Sequence, residues 1–248
     1  MMRTVARIAA VLRAVSMRSP DGLGLAELAS QCGLDRATTL RLTRALVDAG
    51  WLQRDAQNGR YQPGVEAWLA GRFSSPARDK LLRAATTVLK GLSRSTGDTV
   101  YLAIRSGLEV VCIARIDGEH PIGAKMKPGQ RHRLGVGATG LALLASLHPD
   151  EREQVLAALH ARDRRGLDLA SMRAQFQRRD LDGYVLASGT VFYRVPAIGM
   201  EIQDATGTPI AAISLGADQE RLDPARIEAL VPLMRKARSA IERGLRKP

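Results

Sequence analysis

Apolar residues recur at three- to four-residue spacing from the start of the chain. Val5, Ile8, Ala9, Leu12 and Val15 form one stripe and predict a first helix that packs under the next two. Leu25, Leu28 and Ala29 predict a short second helix, closed by a tight Cys32-Gly33-Leu34 corner. Asp35 stands where an N-cap belongs, because its carboxylate can accept the free N–H groups of a first helical turn. In the third helix Thr39, Leu42, Thr43 and Leu46 fall on one side and should face the core, and Ala49-Gly50 stops it. The other side carries Arg36, Ala37, Leu40, Arg41 and Arg44, with Thr38 in the first turn and no acid among them. Residues 51–54 and 60–64 read as strands either side of a turn at 55–59, where Asn58-Gly59 is a strong hairpin signal.

Phe73-Ser74-Ser75-Pro76 marks a break, with Pro76 well placed to start a new helix. Over 79–95, Leu81, Leu82, Ala85, Val88, Leu89 and Leu92 predict a helix with a broad packing face. Strands come next at 99–107 and 109–117 around a Ser106-Gly107-Leu108 turn. A Gly-rich, basic passage over 123–140 leads to a helix over 139–147, with further helices over 151–161 and 171–181. After Gly183-Tyr184 comes an extended stretch, then a hairpin of 193–203 and 209–215 turning at 204–208, and a last helix over 224–244. Strands at both ends with helices between them imply an α+β fold centred on an antiparallel sheet.

The 248 residues allow one large domain or two modest ones, and 45% hydrophobic with 25% charged residues is the composition of a soluble globular chain. A net charge of +12 favours a polyanionic partner. Bulk charge does not single out the N-terminal part, since residues 1–73 hold ten Arg, no Lys and six acids, or +4. The positions of the arginines matter more. Acid-free and arginine-containing, the first nineteen residues look like a transit peptide, but their apolar stripe fits a packed helix better. Cys32 and Cys112 fall in separate predicted domains, which argues against a disulfide and for a reducing cytoplasm. No apolar run approaches the length of a membrane span.

Helix, turn, helix and hairpin in this order make a winged helix-turn-helix. Its cationic helix face, interleaved with small side chains, suits the major groove of double-stranded DNA. Arg36 and Arg44 are placed for phosphates, Arg41 for a guanine edge, and Arg54, Asn58 and Arg60 for contacts from the wing. The plainer alternative is an amphipathic helical hairpin with a solvated basic face. With the hairpin attached, DNA binding is the better reading.

The order of these pieces, with GLDRATTLRLTRALVDAGWLQRD near the start, GATGLALLASL mid-chain and GYVLASG before VPAIGMEIQDATGTPIAAISLG, resembles the IclR-type family of bacterial transcriptional regulators. The resemblance implies a winged helix-turn-helix over 1–73, a linker helix over 74–97 and a GAF-like effector-binding domain over 98–248. It also implies self-association into dimers or tetramers and a small organic acid as effector. The chain departs from the family pattern at PAIGM and at Ser214-Leu215-Gly216, which hints at a less polar ligand or one gripped differently.

GVGATG (135–140) has the spacing of a dinucleotide-binding loop, but the preceding KPGQRHRL is too charged for a central strand, and no cofactor is expected. Glycines entering a helix still present free N–H groups to an anion, so Gly137, Ala138 and Thr139 are assigned to the effector's acid group. The alternative is a tight turn capping a core helix. Tyr101, Ala103, Arg115, Ser188, Ala197 and Ser214 are carried over by position as pocket walls, although Tyr101 and Ser214 also suit ordinary sheet positions. The four histidines are scattered, no metal spacing involves Cys112, and no nucleophile elbow or zincin helix is present, so no enzyme chemistry is expected. The function read from the sequence is a DNA-binding regulator gated by a small carboxylate or aromatic acid. A GAF-like enzyme tethered to DNA and an effector-independent nucleoid-type binder are the alternatives.

Overall fold

The computed structural model describes residues 2–73, 76–123, 126–162, 168–188 and 195–246. They fall into two compact units, divided after Ala77.

In the N-terminal unit α1 (Met2–Ser16), α2 (Leu25–Cys32) and α3 (Arg36–Asp48) precede a two-stranded hairpin, β1 (Leu52–Arg54) and β2 (Tyr61–Pro63). Val11, Val15, Leu23, Leu28, Leu42, Leu46, Leu52 and Tyr61 form the core. Ile8 and Leu12 pack against it, but Val5 is 67% exposed, because the predicted stripe starts one turn before α1 reaches its neighbours. Gly33 closes α2 in the left-handed region (φ 60°), and the Leu34 N–H returns to the Ala29 carbonyl. Asp35 caps α3 as expected, its carboxylate accepting the Thr38 N–H at 2.7 Å. That bond holds the Asp35 carboxyl below the usual carboxylate range.

Thr39 and Thr43 are buried on the inner face of α3, which is tolerable because their hydroxyls donate to the Asp35 and Leu40 carbonyls. The hairpin begins at a glycine contact: a Cβ on Gly64 would lie 2.2 Å from the Gly50 carbonyl oxygen. After it comes α4 (Val65–Phe73), a helix with no sequence expectation, of which no described side chain is fully buried.

The C-terminal unit is built on a six-stranded antiparallel sheet of order β5-β4-β3-β8-β7-β6. Its strands are β3 (Thr99–Ser106), β4 (Glu109–Ile116), β5 (Arg131–Arg133), β6 (Val185–Ser188), β7 (Pro196–Gln203) and β8 (Pro209–Gly216). Against one face lie α5 (Pro76–Thr96) and α9 (Pro224–Arg246), over Val100, Leu102, Ile198, Met200, Ile202, Ile213 and Leu215. Most of the segment expected as a linker is therefore α5, whose Leu81, Ala85, Leu89 and Leu92 belong to this core. The opposite face is covered by α6 (Gly137–Ala145), α7 (Pro149–Arg162) and α8 (Leu169–Asp182).

Alternation along β7 and β8 sorts large residues from small ones. The α5/α9 side receives isoleucine, methionine and leucine, whereas the α6 side receives Ala197, Gly199, Ala212, Ser214 and Gly216. That small surface lets α6 come close: a Cβ on Gly199 would sit 2.3 Å from the Ala138 carbonyl oxygen. Residues Ala138–Ala145 are all buried. α6 begins two residues earlier than expected, and β5 was not expected at all. The first two positions of the predicted strand over 193–203 lie outside the described residues.

Two buried carboxylates tie the elements together. Asp98, with no exposed surface, accepts Arg226 at 2.7 Å and Arg221 at 3.1 Å, and Arg226 also donates to the Thr96 carbonyl at the end of α5. At the far edge Glu201 accepts Arg179 from α8 and Arg238 from α9.

Candidate nucleic-acid interface and effector cradle

α3 carries its charge as its pattern predicts. Arg36, Ala37, Arg41 and Arg44 are exposed, and Thr38 and Leu40 are at or near the margin of the core, with Leu40 half-buried. None of the three arginines makes an ion pair or side-chain hydrogen bond with a described residue. Their spacing along a capped helix makes a row of cations that no described residue neutralises.

The wing differs. Arg60 reaches back to Glu27 at 2.8 Å and to the Asp21 and Gly22 carbonyls, fastening β2 to the start of α2. The Gly24 amide, and after it Arg60, hold the Glu27 carboxyl low. Arg54 donates to the Gly59 carbonyl and lies 5.9 Å above the Tyr61 ring. The Asn58 side chain accepts the Arg60 N–H inside the turn. All three wing residues are thus engaged in shaping the hairpin, while their exposed parts lie at its surface.

On the sheet, Val185, Gly199, Ser214, Tyr101 and Arg115 stand opposite one another across neighbouring strands and form one row on the α6 side. A β-bulge at Ile113 then brings Cys112, rather than its neighbour, beside Ala103 on that face. Tyr101, Cys112 and Ile122 form a small buried apolar cluster, joined by Met126 and Val195. Burial pushes the Tyr101 phenol up to about 12 and the Cys112 thiol up to about 11, so both are protonated at neutral pH.

The Arg115 guanidinium lies 5.6 Å from the Tyr101 ring and is ion-paired with Asp117 at 2.7 Å. Its charge is shared already, which the sequence did not reveal. Ala103 is packed in the core under α6 with Val110 and Ala142. Ala197 is half-buried beside Gly216, where a Cβ would press on Ile122 at 3.0 Å. Ser188 ends β6, with its side chain outside the described residues.

Ala138 and Thr139 are buried in the first turn of α6, and Gly137 enters it with φ 65°. Ser214 is 5% exposed and shares its row with Gly199, whose missing side chain leaves room for Ala138. Neither the Ser214 nor the Thr139 hydroxyl makes a hydrogen bond with a described residue. Among the described residues no three His, Cys, Asp or Glu side chains gather as a metal site, and no helix is long and apolar enough to cross a membrane.

Two family models match the chain in two successive stretches. Residues 4–56 match the IclR helix-turn-helix domain and residues 75–243 match the bacterial transcriptional regulator IclR C-terminal domain. The chain belongs to the IclR family. Relatives in this family include the HTH-type transcriptional regulator XynR of Escherichia coli K12, 28% identical over 91% of this chain and 90% of that protein. The repressor AllR of Klebsiella pneumoniae is 25% identical over 92% of this chain and 85% of its own length. Among solved structures, an IclR homologue from Microbacterium hydrocarbonoxydans, complexed with 4-hydroxybenzoate, superposes with a TM-score of 0.76 at 23% identity, covering 98% of both chains. These IclR relatives are named as regulators and repressors, not as enzymes, and this chain is a transcriptional regulator of the same family.

Proposed function

We propose that this regulator binds a double-stranded DNA operator through Arg36, Arg41 and Arg44, and that a small organic acid held against α6 modulates the binding. The acid group accepts from the amides of Ala138 and Thr139 and from the hydroxyls of Thr139 and Ser214. The organic part lies toward Tyr101, Cys112, Ile122 and Ala197. The observation that carries the effector half is a pair of hydroxyls on largely buried residues, Thr139 and Ser214, which make no hydrogen bond with a described residue and lie beside a helix start. The 4-hydroxybenzoate bound by the Microbacterium homologue supports an aromatic acid. Arg115, engaged with Asp117, shapes the wall and is not the main anion partner.

The protein works in the cytoplasm as a dimer or tetramer, with two readers on half-sites about 34–36 Å apart or a multiple of that. Effector coupling is about 1–3 kcal/mol. A thermal-shift screen of benzoate, 4-hydroxybenzoate and short aliphatic acids tests the effector half, since a ligand of the native state must raise the melting temperature. Gly137→Val, strained at a left-handed position, should abolish that shift and leave operator binding of the free protein intact. A full shift in the variant would remove the cradle.

A further inference from the structure

His132 is the one buried histidine of the four, since His120, His148 and His160 are all exposed. It lies in β5, opposite Val110 of β4. Its Nε2 stands 3.5 Å from where a Cβ on Gly140 would be and 3.7 Å from where one on Gly137 would be. Gly137 and Gly140 are three residues apart and so share one side of the first turn of α6. The hollow left by their missing side chains is filled by the imidazole. The ring also hydrogen-bonds the backbone of Val136, the residue that caps α6. Two glycines of the GVGATG motif therefore have a further role: they seat a titratable ring against the turn whose amides face the acid.

Resting on the effector reading above, we infer that His132 is the proton-linked member of the cradle, taking up a proton when an organic anion binds and making that binding tighter as the pH falls. Burial holds the imidazole below its ordinary value, so the free protein carries it neutral at pH 7. An anion at the start of α6 favours the charged ring, and each unit by which it raises the pKa strengthens binding about tenfold.

The surroundings leave this titration to the ligand. On β5, Arg131 is paired with Glu109 and Arg133 has its own contacts. β4 offers Val110 and the protonated Cys112, and further along the same face stand Tyr101 and the Arg115–Asp117 pair. α6 offers glycines, Ala138 and Thr139, and α8 offers Met172 beside Gly135. Among the described residues, only burial and the Val136 backbone move the His132 pKa.

The test is calorimetric titration of the full-length protein with benzoate and 4-hydroxybenzoate, between about pH 8 and about pH 6, in two buffers of different ionisation heat. Proton uptake on binding is expected, with affinity rising about tenfold across that range. His132→Gln should erase the proton uptake and the pH slope of acid binding. Binding without proton uptake, or uptake that persists in H132Q, would overturn the inference and leave the cradle standing. No binding of either acid would take down both. If H132Q does not fold, the wild-type histidine ring resonances serve instead. Benzoate should raise the pKa of the most buried imidazole, and a titration unmoved by benzoate refutes the link.

Discussion

The arginines of the two units are spent differently. On α3, Arg36, Arg41 and Arg44 stand in solvent without an ion-pair partner among the described residues. In the C-terminal unit Arg221 and Arg226 close on Asp98, and Arg179 and Arg238 close on Glu201, carboxylates with 0% and 2% of their surface exposed. Buried carboxylates must be matched, so those arginines belong to the architecture. The α3 arginines pair with no acid among the described residues, which suits the proposed contact with an external polyanion. The same residue type thus forms a clasp in one unit and the proposed reading face in the other, and burial of an acid partner tells them apart.

Four substitutions sharpen this contrast. Asp98→Ala should have the largest effect, about 3–5 kcal/mol of stability lost from the C-terminal unit, because two arginines lose their common acceptor and Arg226 is no longer held where it donates to the Thr96 carbonyl at the end of α5. Urea unfolding of the full chain measures it, and a loss within about 0.5 kcal/mol would mean the clasp is ornamental. Gly199→Ala comes next, at about 1–3 kcal/mol, since the new methyl meets the Ala138 carbonyl and α6 must back away. Its effector-induced melting shift should shrink in parallel.

Arg41→Ala should leave the urea midpoint within about 0.5 kcal/mol of the parent while costing about 1–3 kcal/mol of operator binding in a mobility-shift titration at fixed salt. A variant that unfolds more easily but binds as before would reverse the assignment. Asp35→Ala should be the mildest, a small drop in melting temperature from the lost cap of α3. Because the folded-state pKa of Asp35 lies below its ordinary value, the cap's contribution is present above the usual carboxylate range and fades as the pH falls through the folded value. The difference between parent and D35A should therefore narrow in acid.

Much of the fold is legible in the sequence, because local chemistry dictates it. The Asp35 cap, the Gly33 corner, the strand pair about Gly107 and the long hairpin turning at 204–208 all arise from spacing and turn residues. α4 is not legible, since Val65, Ala67, Trp68, Leu69 and Ala70 offer no polar face to set a period. β5 is missed because Arg131, His132 and Arg133 look like loop, and only pairing with β4 makes them a strand.

At the site, the exposure of the α3 arginines is legible from position alone. The commitments of Arg60 and Arg115 are not. Arg60 finds Glu27 through the fold of the hairpin, and the Arg115–Asp117 pair and the bulge depend on how β4 is presented to its neighbours. Gly199 carried a faint signal as a lone glycine within a strand, where close backbone approach is a common reason. His132 carried none, because its partners lie across a turn and a sheet.

Ile113 has one more consequence. A sheet counts its residues in twos, and β4 holds an odd one at the bulge, so everything on the Cys112 side is out of step with the Arg115 side. Pairing β4 without the bulge would set Ile113 opposite Ala103, turning Val110 and Cys112 away from α6 and presenting Val111 and Ile113 in their place. The bulge in this strand is therefore a stricter inheritance than any one side chain: a change of side chain alters one position, whereas straightening the strand inverts half of it.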